Sequence, residues 1–220
     1  MIEKIKNNLL RIQEEIVPYT VNIIAVTKYY DKDVMLNAYK AGLRHFGESR
    51  AVEAVKKIGE LPNDVKENST FHFIGHLQSN KVKLVVNNFD YIHSVDSSKI
   101  ANLISDEALK LGKKQKVFLQ LNNAEEEQKF GFNKQELLNE FKSITDLEGL
   151  EVLGLMNIAP LTESKEELAK LFKDVKDFQK ELETKFDFKL NDISMGMSND
   201  YDIAVANGAT WVRIGRKLFS

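Results

Sequence analysis

Hydrophobic positions along the chain fall into two alternating patterns. Ile2, Ile5, Leu9, Ile12 and Ile16 recur at three- and four-residue spacing until Pro18, which predicts an amphipathic N-terminal helix within residues 1–17. Eight short apolar runs follow: Val21–Thr27, His45–Glu48, Thr70–Gly75, Tyr91–Val95, Val117–Leu121, Val152–Ile158, Ile193–Met197 and Trp211–Ile214. They are mostly continuous rather than alternating, as expected of parallel strands covered on both faces. Helical patterns separate them, at Val34–Ala41 (ending at Gly42), Val52–Ile58, Lys81–Val86, Ile100–Leu111, Gln135–Ile144, Lys165–Lys185 and Asp200–Ala206. Strand–helix alternation at roughly 25-residue spacing is the signature of βαβ units. Eight strands predict an α/β fold, a closed (β/α)8 TIM barrel occupying residues 1–220 as one domain. No helix is predicted after the eighth run, so the N-terminal helix is expected to fill that place in the outer ring. A doubly wound open sheet is the rival, but no GxGxxG follows the first strand and no GxxxxGK[ST] occurs.

Composition narrows the function classes. With 31 basic and 33 acidic residues the formal net charge is −2, which argues against a protein that coats nucleic acid or an anionic membrane. The chain has no cysteine, which removes disulfides, cysteine nucleophiles and thiolate metal sites. Met1–Ile16 carries lysine and glutamate throughout, unlike a secretory leader. The longest nearly apolar run, Val152–Leu161, contains Asn157 and falls short of the roughly 20 residues a bilayer requires. A soluble cytoplasmic protein is expected. His72 and His76 stand four apart without a well-spaced third ligand, so no metal site is expected, and His45 and His93 read as packing or loop residues. Gln78–Lys83 reads as a helix start and Glu125–Glu127 as a solvated loop.

A barrel places its chemistry on the loops after the strand C-termini. Lys28 directly follows the first strand. It is either a solvated loop charge or a lysine that forms a Schiff base, which needs the neutral amine that apolar surroundings and nearby cations favour. Ser194-Met195-Gly196-Met197-Ser198-Asn199-Asp200 ends the seventh strand in good N-cap residues, and a helix start there would offer N–H groups to an anion. Arg213 and Arg216 flank Gly215 at the end of the eighth strand, where barrels often hold a phosphate; an ordinary tight turn is the plain alternative. With Lys28, these suggest a ligand carrying both a phosphate and an aldehyde.

The chain resembles the YggS/PROSC family of pyridoxal 5′-phosphate (PLP) homeostasis proteins nearly end to end. The resemblance is carried by Ala25-Val26-Thr27-Lys28, Phe46-Gly47-Glu48 and the run Phe71-His72-Phe73-Ile74-Gly75-His76-Leu77-Gln78-Ser79-Asn80-Lys81. Asn122 with Glu126, Lys129 and Gly131, then Gly154-Leu155-Met156, the Ser194–Ser198 run and Val212-Arg213-Ile214-Gly215 complete it. It implies a PLP-bearing barrel of the alanine-racemase type, fold type III, with Lys28 as the Schiff-base lysine. It further implies that Ser198 and the backbone around Gly215 and Arg216 hold the phosphate, that Arg213 faces the pyridine nitrogen, and that Met197 is among the cofactor-binding residues. A permanently protonated arginine there keeps that nitrogen neutral and weakens the ring as an electron sink. Ser49 stands in a cofactor position where many members carry asparagine, and the tail beyond Ser220 that many members have is missing.

The expected function is therefore a non-catalytic PLP-binding protein of intracellular PLP homeostasis. Its expected partners are PLP and apo PLP-dependent enzymes, with neither nucleic acid nor membrane, and it is expected to be a monomer. The alternatives are a PLP-dependent amino-acid racemase and, further off, a class I aldolase-like enzyme. A racemase needs acid–base groups on both faces of its substrate. In the racemases that this chain resembles, the second base is a tyrosine brought by a separate domain that a 220-residue barrel does not contain. Tyr29 and Tyr30 are merely sequence neighbours of Lys28.

Overall fold

The computed structural model describes residues 1–123, 130–160 and 164–220. Eight parallel strands close into a barrel in sequence order, β1 (Asn22–Val26), β2 (His45–Glu48), β3 (Thr70–Phe73), β4 (Tyr91–Val95), β5 (Gln115–Leu121), β6 (Leu150–Asn157), β7 (Asp192–Met197) and β8 (Trp211–Ile214). Closure is made by β8 pairing with β1, Val212 opposite Ile23 and Arg213 opposite Ile24. The helices outside are α1 (Ile2–Glu15), α2 (Lys32–Lys40), α3 (Ala51–Gly59), α4 (Asn63–Glu67), α5 (Val82–Asn88), α6 (Ser98–Lys110), α7 (Lys134–Thr145), α8 (Lys165–Phe186), α9 (Tyr201–Ala206) and α10 (Arg216–Phe219). No described helix is long and apolar enough to cross a membrane.

Local chemistry starts these helices where the polar residues fall. Asp31 accepts from the Val34 N–H, Ser97 from that of Ile100, and Ser164 from that of Glu167. Asn133 and Glu136 form a reciprocal capping box on α7, each satisfying a backbone donor that the first turn leaves free. The main core lies between the barrel and its helices, where Ile92, Leu119, Leu155, Ile193 and Val212 meet Ile104, Phe141, Phe172 and Phe178. The barrel interior is a separate, smaller cluster of Ile24, Phe118, Met156 and Trp211. Buried polar side chains share that interior, among them His72, His93, Ser194 and Arg213.

Two elements depart from expectation. Helix α4 is a five-residue helix after Pro62, too short to leave a periodic apolar pattern. The last residues wind into α10, one turn, so the eighth place in the outer ring is shared by α10 and α1. The two are tied together: Asn8 Nδ2 donates to Leu218 O at 3.0 Å, and Glu15 accepts from Lys217 and from the Tyr201 hydroxyl. Desolvation and that bond to Glu15 push the Tyr201 pKa up to about 12. Ile5, Ile12 and Ile16 bury the inner face of α1. The N-terminal helix thus braces the C-terminal turn, which borders the barrel mouth.

Candidate functional site

A cavity of about 520 Å³ opens at the C-terminal ends of the strands, within the roughly 300–1,000 Å³ typical of small-molecule pockets. Lys28, Met197, Ser198, Arg213, Gly215 and Arg216 all line it, so six of the seven residues singled out in the sequence meet in one place. Ser49 does not line it. The backbone of Ser49 packs against Gly75, and its side chain borders a neighbouring depression with Arg50, His76 and Lys81. Glu126 and Lys129 lie outside the described residues.

The turn that carries Lys28 is clamped from below. Thr27 is buried and donates through its hydroxyl to Glu48 Oε1 at 2.7 Å. Glu48, also buried, pairs with Lys57 at 2.5 Å, and Lys57 donates to the carbonyls of Thr27 and Tyr30 at 2.8 and 2.9 Å. One lysine is thereby fully committed to holding the backbone on both sides of Lys28. Lys28 itself is half-buried at the mouth, with its Nζ 5.1 Å from the centre of the Tyr29 ring. In the sequence Glu48 stands out only as the end of an apolar run and of the Phe46-Gly47-Glu48 match, and Lys57 only as one charge among several on α3.

Strand β7 turns sharply at Gly196, where φ is +92° and a Cβ would meet that of Ala204 at 2.6 Å. The following residues do not cap α9 as the Ser-Asn-Asp run suggests. Asp200 instead turns back and accepts from the Met197 N–H at 2.5 Å. Burial raises its pKa above the usual carboxylate range. Ser198 Oγ accepts from the N–H groups of Gly215 (3.2 Å) and Lys217 (3.4 Å). Both of its acceptor positions are then used, and its own proton remains to donate into the cavity. Among the described residues nothing crowds position 215, where a Cβ would meet Val26 only at 3.5 Å. The room left by Gly215 belongs to the cavity rather than to packing.

Arg213 reaches the cavity from inside the barrel and is almost wholly buried. Its guanidinium donates to Ser194 O and Ser194 Oγ, and to Asn157 O, all at 2.8 Å. Burial lowers its pKa to about 10, opposed by the attraction of Asp200, so it stays charged at neutral pH. Beneath it, His93 and His72 occupy the interior, bonded to each other at 2.9 Å, while His76 lies outside at the mouth on Asp96. The four-residue spacing of His72 and His76 therefore corresponds to no shared site.

Burial holds both interior imidazoles neutral, with pKa values well below the usual one; His45 beside His72, and His72 and Arg213 beside His93, act in the same direction. An unfolded chain protonates each near pH 6.5, so the stability they contribute is complete above that value and is lost as the pH falls through it. Each of the two is expected to cost stability at pH 5.5 relative to pH 7.5, on the order of 1 kcal/mol. Urea unfolding at pH 7.5 and 5.5 measures this, and an unchanged midpoint would contradict neutral burial.

Comparison with known proteins places the chain in a family. The profile described as alanine racemase, N-terminal domain, matches residues 2–220. The chain belongs to this family. A pyridoxal phosphate homeostasis protein of Synechocystis sp. is 40% identical over 202 residues, covering 92% of each chain. One from Aquifex aeolicus is 36% identical over 90% of this chain and 85% of its own. Among solved structures, PipY of Synechococcus elongatus with PLP bound superposes with a TM-score of 0.88 at 37% identity, covering 98% of this chain and all of that one. An alanine racemase of Clostridium difficile shares the fold at 17% identity and a TM-score of 0.80, with this chain spanning 59% of its length.

Proposed function

We propose that this chain binds PLP at the barrel mouth and serves PLP homeostasis by holding and releasing it, with no substrate turnover of its own. One observation carries the reading: a single cavity presents the Lys28 amine, the outward hydroxyl of Ser198 beside the Gly215–Lys217 backbone, and the buried Arg213 cation. PLP bound there would supply an aldehyde that condenses with an amine and loses water. Lys28 is the amine offered, because Lys57 is occupied by Glu48 and two carbonyls. Ser198, the room at Gly215 and the exposed Arg216 suit a phosphate dianion. Arg213, always a donor, suits an unprotonated ring nitrogen. The names of the 34–40% identical relatives support the homeostasis role over catalysis.

Racemisation needs a second acid–base group across the cavity from Lys28. Tyr29 and Tyr30 line the same cavity but leave the chain beside Lys28, and Tyr30 packs its ring on Phe219 at 4.7 Å between centroids. The test is paired. Chiral chromatography of L-alanine and other amino acids incubated with the PLP-loaded chain is expected to show no D-enantiomer above the PLP-only control. An apo PLP-dependent enzyme is expected to regain activity faster from the loaded chain than from an equal amount of free PLP. Steady racemisation would make the chain an enzyme, and transfer no faster than free PLP would remove the delivery role.

A further inference from the structure

Arg213 is a buried cation whose direct partners among the described residues are oxygens of neutral groups: two carbonyls and one hydroxyl. A charge so placed needs a compensating environment. One of those oxygens begins a line of hydrogen bonds that crosses the barrel. Ser194 Oγ lies 2.9 Å from His93 Nδ1, His93 Nε2 lies 2.9 Å from His72 Nδ1, and His72 Nε2 lies 3.0 Å from His45 Nδ1. The line runs from the cavity side to His45, at the start of β2 on the opposite end of the barrel, where the ring is half-buried.

The direction of every bond follows from its first member. A guanidinium only donates, so Ser194 Oγ accepts from Arg213. The buried hydroxyl has one further side-chain partner, His93 Nδ1, and would strand its proton if that nitrogen also donated. His93 therefore carries its proton on Nε2 and donates to His72. By the same step His72 donates from Nε2 to His45. Each neutral ring then turns its lone pair toward the cation and its N–H away from it. Dipoles aligned this way stabilise a positive charge, and each bond polarises the next. Aromatic neighbours fix the ring planes: His93 stacks on Phe118 at 4.3 Å, His72 on Tyr91 at 4.5 Å, and His45 meets Trp211 edge-on at 5.0 Å.

We propose that Ser194, His93, His72 and His45 are positioning residues for Arg213, a one-way hydrogen-bond chain that turns negative dipole ends toward a guanidinium to which no carboxylate of the described residues is directly bonded, and so fixes it in the cavity. The part of the proposal that concerns ligand binding rests on the reading of Arg213 as a PLP contact; the chain itself does not.

Two measurements decide it. In the full chain labelled with 15N and free of PLP, long-range proton–nitrogen NMR is expected to find the Nε2–H tautomer at His45, His72 and His93. A proton on Nδ1 of His93 or His72 overturns the proposal whether or not PLP binds. The second measurement compares PLP affinity and the absorption spectrum of the bound form in Ser194→Ala, His93→Leu and His93→Gln, with melting curves to confirm folding. Ser194→Ala and His93→Leu break the chain and are expected to weaken PLP about tenfold and to shift the spectrum. Glutamine can accept from Ser194 and donate to His72, and is expected to stay within about threefold of the native chain. Arg213→Lys separates the two readings. If it changes affinity and spectrum while folded Ser194→Ala does not, the positioning role is overturned and the pocket reading stands. If PLP does not bind the native chain, the pocket reading fails and the tautomers alone decide.

Discussion

Lys28→Ala is expected to abolish the visible band that PLP develops on the native chain while leaving a weaker, non-covalent complex. The loss of the band should be complete because, among the described residues, Lys28 is the lysine that lines the cavity. Lys57 is the lysine bonded to the backbone on both sides of Lys28, but it is largely buried, paired with Glu48 and bonded to two carbonyls. Pulling it into the cavity would leave a buried carboxylate without its partner, a change of about 3–5 kcal/mol. The residual complex should survive because Ser198, the Gly215–Lys217 backbone and Arg213 are untouched. Affinity is expected to fall by about 10- to 100-fold, or about 1.4–2.8 kcal/mol. Absorbance titration with PLP checks both parts. A full band on Lys28→Ala would show that another amine does the chemistry.

The largest expected effect on stability comes from Gly154→Ala. Gly154 sits in β6 opposite Asp192 of β7, and a Cβ there would lie 1.7 Å from the Asp192 carbonyl oxygen. The obstacle is paired backbone rather than a flexible side chain, so relief requires moving one strand of a closed barrel. Asp192 is itself held, its carboxylate accepting from Thr210 and from the Trp211 ring N–H. Overpacking of this kind costs about 3 kcal/mol or more, roughly 6–12 °C in melting temperature for a chain of this size. Gly59→Ala is the control: a Cβ added there, at the end of α3, would meet nothing within 4 Å, so the change is expected to be neutral or stabilising by up to about 1 kcal/mol. Calorimetry on the two variants measures the contrast, and equal melting temperatures would contradict the crowding at β6.

Strand order and strand ends were legible because parallel strands covered on both faces read as unbroken apolar runs, and a lysine or an arginine at the end of one stands out. Lys28, Ser198 and Arg213 were found in this way, and the resemblance joined them. What was hidden depends on register between strands. The Thr27–Glu48–Lys57 clamp joins β1, β2 and α3, and no residue in it signals its partners along the sequence. The histidine line draws its members from β2, β3 and β4, with Ser194 on β7, so only closure of the barrel brings them together. His72 and His76 share no site despite their spacing, because one points inside while the other lies beyond the strand end. Ser49 was placed by analogy with asparagine, and its packing on Gly75 takes it to the neighbouring depression. Asp200 resembles a cap, yet its carboxylate is drawn back to the Met197 N–H.

In the proposed PLP site, one cavity offers Lys28 to an aldehyde whose phosphate lies at Ser198 and Gly215. The most direct measurement is to load the native chain with PLP, reduce it with borohydride, and locate the pyridoxyl group by peptide mass mapping. A visible band that borohydride removes and a single modified residue, Lys28, are the expected result. A pyridoxyl group on Lys57 or scattered over surface lysines, or no band at saturating PLP, would contradict it.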